Sequence, residues 1–265
     1  MKHKDKLNDN QLHLLKLIYK FRFVDARLLS SYRKVNISAV NRSLAVLVSK
    51  KLVGRKYQKD FRIKGIGATY YLLPDSLKIL KEKYLLNDKA LHANYKNSRL
   101  SQSFVNHSLD IFKHYITLKN NHTEAFNLFT KAELQDFDFF PEPYPDLYLR
   151  RTKESDDQIN EYILDILPDN QLFVLKKRIL SIFDHFDSGE WEAGADSEYP
   201  AILLICSGSA IESRIQVLIA KILENSGIDD ELTFLTTTSK ALLNSTNSNR
   251  LIWSNVLSPE KLVHL

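Results

Sequence analysis

The chain is poor in cysteine, glycine and proline, and it lacks any long apolar run. Cys206 is its single cysteine, so neither an internal disulfide nor a thiolate metal cluster can form, which suits a reducing compartment. Seven glycines and seven prolines in 265 residues exclude the collagen-like and low-complexity classes. The longest apolar run, Ala201-Ile202-Leu203-Leu204-Ile205-Cys206, is far too short to cross a bilayer. The basic start, Met1-Lys2-His3-Lys4-Asp5-Lys6, leads into no apolar signal core. A cytoplasmic location without a membrane partner is therefore expected. Glycine-rich phosphate loops that follow a strand are missing too, because Gly65-Ile66-Gly67 falls in a hairpin loop. What remains, 44% hydrophobic and 26% charged residues, is globular and long enough for one large domain or two modest ones.

Charge is unevenly placed. Residues 1–100 carry 23 Lys/Arg against 7 Asp/Glu, a surplus of 16, whereas residues 101–265 carry 14 against 25, a deficit of 11. Such a split reads as a basic module built for a polyanion, joined to an acidic module with another task. The plainer alternative is two solvated surfaces of opposite sign that attract each other.

Periodicity orders the first module. Asn8 or Asn10 can cap a helix whose apolar positions are Leu12, Leu15, Ile18 and Tyr19. A second helix is expected over 24–32, with Leu28 and Leu29 inward. Ser38 is the expected N-cap of a third, over 39–48, that buries Val40, Leu44, Leu47 and Val48, with Leu52 closing the turn. Its other face offers Asn41, Arg42, Ala45 and Ser49. Small side chains let a helix enter a major groove, and Asn and Arg can pair bidentately with adenine and guanine edges. Two β-rich runs then flank a glycine-containing basic loop and predict a hairpin, Val53–Tyr57 and Ala68–Leu73. Three helices followed by a basic hairpin are the pattern of a winged helix-turn-helix. Ser38, Asn41, Arg42, Ala45 and Ser49 are the candidate base-facing residues. Arg55, Lys56, Lys59, Arg62 and Lys64 are candidates for the DNA backbone. A winged helix can also serve as a protein–protein module. The domain is expected over 1–86, with a helix over 77–84 beside the wing. A polar linker over 87–99 and a connecting helix over 101–118 follow, within a 87–123 junction. His107 and His114 share a face of that helix, where packing is the commoner use than metal binding.

From residue 124 to 265 strands and helices alternate, predicting a mixed central sheet in an α+β or α/β domain. Expected strands are 126–129, 147–150, 161–166, 199–206, 232–237 and 250–253. A helix over 172–186 turns Leu175, Ile179, Ile182, Phe183 and Phe186 inward, and another, over 209–223, has Ser209 as its simplest N-cap. Asp187–Glu192 reads as an exposed acidic loop with an aromatic, able to hold a partner or merely to close off the preceding helix. Cys206, in the most apolar strand, is expected to be inert.

The succession of a winged helix, a helix with a central histidine, a Glu-bearing segment, Pro145-Asp146 before a strand, Asp165 at a strand end, a basic helix and the run Tyr199–Cys206 resembles the replication-relaxation family of plasmids and mobile elements. Its second half is similar to the PD-(D/E)xK nuclease fold. The resemblance implies that Asp146 and Asp165 hold Mg²⁺, with Glu133 as the upstream acid, while no other cofactor is implied. Leu167 stands where that pattern has its lysine, and Lys176 or Lys177 on the next helix are the candidates to replace it. The resulting expectation is a sequence-specific duplex-DNA-binding protein, dimeric on paired half-sites, whose nuclease-like half no longer cleaves and whose acidic surface serves assembly or a protein partner. The alternatives are a Mg²⁺-dependent nickase and a transcriptional regulator whose second domain dimerises or senses a ligand.

Overall fold

The computed structural model describes residues 7–57, 67–84, 86, 88–121, 126–152, 159–169, 172–195, 197–228, 231–246 and 251–265. The chain divides into two units, Met1–Ile116 and Thr117–Leu265.

In the first unit, Asn8 begins α1 (Asp9–Phe21) with a capping box. Its side chain accepts from the Gln11 amide at 2.9 Å, and the Gln11 side chain accepts from the Asn8 amide at 3.2 Å. Two orphan amides are thereby satisfied, and the 3.6-residue repeat buries Leu12, Leu15, Ile18 and Tyr19 as anticipated. The second helix starts later than its apolar residues suggested. Val24–Asp25 forms β1, paired with Tyr70 and Thr69, and Asp25 caps α2 (Ala26–Arg33) by accepting from the Leu28 amide at 2.7 Å. Leu29 is buried and Leu28 only half-buried. The N-cap of α3 (Ile37–Ser49) is Asn36 and not Ser38, because the Asn36 side-chain Oδ1 accepts from the Ser38 main-chain amide at 2.8 Å. Asn and Ser cap about equally well, and the two residues stand only two positions apart.

β2 (Val53–Lys56) and β3 (Thr69–Leu72) are the predicted hairpin, and with β1 they form an antiparallel sheet in the order β1-β3-β2. Gly54 pairs with Tyr71, and a Cβ there would meet the far end of that ring and have to displace it. Helix α4 (Pro74–Tyr84) follows, with Leu77 and Leu80 buried.

The stretch read as a linker is instead structured, with α5 (Asp88–Asn94) and a 3-10 turn (Asn97–Arg99). Its polar composition hides a buried hydrogen-bonded core. Asn97 is 1% and Asn94 3% exposed, and the Asn97 amide donates to Asn94 Oδ1 at 3.0 Å. Arg22, at positive φ just past α1, donates from Nε and Nη2 to Asn97 Oδ1 at 3.2 and 2.8 Å, and from Nη2 to the Ala93 carbonyl at 2.5 Å. It also lies over the Phe104 ring at 4.7 Å. Burial pushes the Arg22 pKa down to about 10, which still leaves it charged at neutral pH. Helix α6 (Gln102–Asn121) closes the unit through Phe112, stacked on Phe21 at 4.1 Å between centroids.

In the second unit, β4 (Phe126–Thr130), the one-turn helix α7 (Lys131–Leu134), β5 (Leu147–Thr152) and β6 (Ile159–Leu167) lead into α8 (Leu172–Ser188). Then come α9 (Glu190–Ala195), β7 (Ala201–Cys206), α10 (Ser209–Ser226), β8 (Phe234–Thr238), α11 (Ser239–Asn244), β9 (Trp253–Asn255) and β10 (Ser258–Val263). The described strands form a seven-stranded mixed sheet in the order β10-β9-β8-β7-β6-β5-β4. The pairs β6–β7 and β7–β8 are parallel and the remainder antiparallel. Ile202–Cys206 are all buried, as befits a central parallel strand. Alternate residues Ile163 and Leu167 of β6 and Ile202, Leu204 and Cys206 of β7 share a core with Leu175, Ile179, Ile182 and Phe183 of α8 and Ile215, Ile219 and Leu223 of α10. β10 was not among the expected strands.

Two further expectations need correction. Gly208, not Ser209, is the N-cap of α10. Asp187–Glu192 is not an exposed loop: α8 runs to Ser188, Gly189 turns the chain at φ 67°, and Trp191 on α9 is fully buried. The Trp191 indole donates to the Glu198 carbonyl at 3.0 Å and packs edge-on against Phe139 and Phe140. Burial pushes the Cys206 thiol up to about 12, so it stays protonated and unreactive at neutral pH.

Removing the Asn97 amide takes away the oxygen that meets Arg22 Nε and Nη2 and one donor to Asn94 Oδ1. Asn97→Ala is therefore expected to destabilise the first unit by about 1–3 kcal/mol, read from urea unfolding. A loss below about 0.3 kcal/mol would show that the Asn97 bonds to Arg22 and Asn94 add nothing to stability.

Candidate nucleic-acid interface and carboxylate cluster

Successive residues of a helix turn by about 100°, and α3 uses that rotation to separate two chemistries. Val40, Leu44 and Leu47 are buried at no more than 1% exposure. Ser38, Asn41, Arg42, Ala45 and Ser49, at i, i+3, i+4, i+7 and i+11, are all exposed. The structure thus brings every base-facing candidate of the sequence reading onto one stripe. Ala45, Ser38 and Ser49 run along its middle, with Asn41 and Arg42 on either side. Ile37 and Val46, each 39% exposed, flank the stripe; sequence reasoning gave neither a role and left Ile37 outside the expected helix.

The positive candidates divide differently. Arg55 is exposed, with its guanidinium 4.9 Å from the centre of the Tyr57 ring. Lys56 is held inward: its ammonium donates to the Leu100 carbonyl at 2.8 Å and lies 5.4 Å from the Phe23 ring. Lys59, Arg62 and Lys64 lie outside the described residues. Lys34 and Lys51, both exposed and both at positive φ, bracket α3 at its two ends. The sequence signal for them was simply a lysine on each side of the third helix. A hydrogen-bonded chain ties the three helices together, with Arg33 donating to Asn10 Oδ1 and Asn10 donating to Ser43 Oγ at 3.3 Å.

In the second unit the antiparallel register of β5 and β6, with Leu147 opposite Leu164, sets Asp146 beside Asp165. The pair named from sequence is therefore a real juxtaposition. The Asp146 amide donates to Asp165 Oδ1 at 3.2 Å, and the Ile166 amide donates to Asp146 Oδ2 at 2.9 Å. Asp165 is 5% exposed. Its other oxygen, Oδ2, accepts from Arg178 Nε at 2.7 Å, while Arg178 Nη1 donates to the Pro143 carbonyl at 2.7 Å. Burial opposes the charged guanidinium, but Asp165 and Asp146 outweigh it and raise the Arg178 pKa above its ordinary value.

The other nuclease candidates are not part of this cluster's bonding. Glu133 completes a capping box on α7, its Oε2 accepting from the Thr130 amide at 2.8 Å and the Thr130 hydroxyl at 3.0 Å. Lys176 and Lys177 are exposed on α8, one and two residues before the arginine that does turn inward. Leu167, at the lysine position, is 3% exposed and belongs to the core. A hard divalent cation is held by several oxygens turned toward it, carboxylates foremost. As arranged, Asp146 and Asp165 do not fit Mg²⁺, because a guanidinium and main-chain amides already hold three of their oxygens. No grouping of three or more metal-ligating side chains occurs among the described residues. Sequence reasoning missed Arg178 because three consecutive basic residues, Lys176-Lys177-Arg178, looked alike. The α8 period was the available signal, since position 178 neighbours the inward Leu175, Ile179 and Ile182.

A second polar group lies beside the Trp191 core. Glu161 accepts from the Tyr148 hydroxyl at 2.5 Å and the Ser197 hydroxyl at 2.8 Å, next to an open cleft of about 320 Å³. Burial first, and then Glu161, push the Tyr148 pKa well above the ordinary phenol value. His114 is buried, its Nδ1 within 2.7 Å of the Asp110 carbonyl, a packing arrangement.

Three helices and a three-stranded antiparallel sheet in the order α1-β1-α2-α3-β2-β3 make the first unit a winged helix-turn-helix, followed by a mixed-sheet unit. The chain matches no family model and no curated protein. Among solved structures it is similar to a MarR variant from E. coli complexed with operator DNA, at 22% identity and a TM-score of 0.28, over 38% of this chain and 69% of that one. It is also similar to two variants of Lactococcus lactis ZitR, at 16% and 17% identity and a TM-score of 0.27, over 38% and 40% of this chain and 68% and 70% of those chains. At this level of likeness the winged-helix assignment rests on the topology itself. No helix among the described residues is long and apolar enough to cross a membrane.

The capping assignment for Glu133 has a direct check. Glu133→Ala is expected to cost about 0.5–2 kcal/mol, while Glu133→Gln, which keeps the accepting oxygen, changes stability by less than about 0.5 kcal/mol. Equal losses in thermal unfolding would contradict a cap.

Proposed function

We propose that this chain is a sequence-specific duplex-DNA-binding protein of a plasmid or mobile element, acting in its replication or DNA relaxation or in their regulation. The observation that carries the reading is the exposed stripe of α3. It joins an asparagine and an arginine to alanine and serines, with no bulky side chain in its middle, on a unit rich in positive charge. Arg42 and Asn41 would read base edges. Ser38, Ala45 and Ser49 would let the helix approach closely, and Arg55, Lys34 and Lys51 would meet phosphates.

The mobile-element setting follows from the resemblance of the whole succession of segments to the replication-relaxation family. The order β4-β5-β6-α8-β7, with Asp146 and Asp165 side by side, supports a nuclease-like scaffold for the second unit. Its Arg178–Asp165 bond supports the non-cleaving version of that reading over the nickase. Two copies on paired half-sites would multiply affinity, and the acidic second unit would serve assembly or a protein partner.

The test is a selection of bound duplexes from a random pool, followed by gel shifts over a salt series. Arg42→Ala and Asn41→Ala are expected to cost about 1–3 kcal/mol each on the selected site and little on unrelated DNA. Lys34→Ala and Lys51→Ala should weaken all sequences alike and lower the salt slope by about one unit each. Full-length protein that selects no sequence, or an Arg42→Ala variant that discriminates as well as the parent, would refute the reading. On supercoiled plasmid with Mg²⁺ or Mn²⁺ we expect binding without nicking. Nicking that Asp146→Ala/Asp165→Ala abolishes would favour the enzyme instead.

A further inference from the structure

The polar stripe of α3 is bordered by two apolar side chains that reach solvent. Ile37 and Val46 are each 39% exposed, whereas Val40, Leu44 and Leu47 of the same helix are at most 1% exposed. Ile37 stands four residues before Asn41, and Val46 four residues after Arg42. Residues four apart are neighbours on a helix surface, so each apolar side chain borders one that can pair bidentately with a base. We propose that Val46 and Ile37 are specificity-determining residues, packing their methyl groups on the C5-methyl groups of thymines beside the bases that Arg42 and Asn41 read. The inference rests on the reading of α3 as the helix that enters the major groove.

Three features support this. The first is that neither the core nor the helix accounts for the two residues. Both stand outside the buried set, and β-branched residues lose side-chain freedom in a helix, so alanine or lysine at an exposed position would stabilise α3 better. The second is what lies within their reach. Major-groove edges present donors, acceptors and the thymine C5-methyl. An apolar side chain gains from covering that methyl and only loses by stripping water from a donor or acceptor. The branched side chains are already held near one rotamer, so little freedom is lost on contact. The third is spacing. Four helical residues advance about 6 Å, and base pairs stack about 3.4 Å apart. With α3 along the groove, each methyl contact therefore falls within about two base pairs of the base read by its polar neighbour.

The experiment uses the full-length chain and a duplex selected from a random pool, with one thymine at a time replaced by deoxyuridine, which removes the C5-methyl and leaves base pairing intact. Affinities are read by fluorescence anisotropy at one salt concentration. For the parent protein, one sensitive thymine should lie within about two base pairs of the base whose preference Arg42→Ala relaxes, and a second equally near the base that Asn41→Ala relaxes. Each replacement there should weaken binding about fourfold, the effect of burying one methylene. Val46→Ala should bind the unmodified site roughly three- to tenfold more weakly, be indifferent to the first replacement and still sense the second. Ile37→Ala should show the reverse. Alanine favours helix at exposed positions, so both variants should fold, and a merely structural role would lower affinity without erasing the response to one methyl. A parent protein that binds every deoxyuridine duplex as well as the thymine one would overturn the proposal while leaving α3 as a reader of DNA. So would variants that keep the parent's full response to both replacements, or a selected site with no thymine at those positions. A chain that selects no sequence would overturn the DNA reading itself, and this proposal with it.

Discussion

A charge removed from water must find its partners inside the protein, and in each unit of this chain one arginine meets that constraint by joining elements far apart in sequence. Arginine is suited to the task because it stays charged and carries five donors in a plane, which a single acceptor cannot satisfy. Arg22 gathers the end of α1, the Ala93 carbonyl of α5 and the Asn97 side chain. Arg178 gathers α8, β6 and the segment that leads into β5. Neither bond needs to add much net stability, since desolvation offsets most of the attraction. What each does is fix which segments lie together, because any other pairing would leave a buried charge alone.

Helix α3 shows the complementary use of burial. Its apolar repeat turns Val40, Leu44 and Leu47 into the core and leaves the remaining surface available for chemistry. Because the Arg33–Asn10–Ser43 chain holds α3 from the side, the exposed stripe is presented on a fixed scaffold. Lys56 marks the limit of reading charge as interface: by position it sits with the basic wing, but its ammonium is already bound to Leu100.

How much of this was legible in the sequence depended on whether apolar residues carried the information. α1, α3, the β2–β3 hairpin and β7 follow directly from periodicity or from an unbroken apolar run, and their bounds fall within two residues of the pattern. The Asp146–Asp165 pair was legible only through the resemblance to the PD-(D/E)xK pattern, which sets its two acids on neighbouring strands. The misses are the places where polar residues do the packing. Asn94 and Asn97 read as linker because burial of an amide leaves no apolar trace. Trp191 read as a surface aromatic because five polar or small neighbours, Asp187, Ser188, Gly189, Glu190 and Glu192, surround it. Arg178 was indistinguishable from Lys176 and Lys177 in type, and only the phase of α8 separates them. Asn36 and Ser38 are both good caps, and periodicity cannot choose between residues two apart.

The irregular pairing at the far side of the large sheet has a consequence for how copies of this chain behave in a crowded solution. β10 departs from regular register between Ser258 and Leu262, and Pro259, Glu260 and Lys261 are all exposed. A regular outer strand would offer an unbroken row of amides and carbonyls as a template for a second chain. Here Pro259 withholds an amide, the bulge bends the row, and the two charged side chains repel or hydrate whatever approaches. The sheet's growth is stopped at that border by its own last strand, so the unit can carry an extensive apolar interior without seeding aggregates from this side.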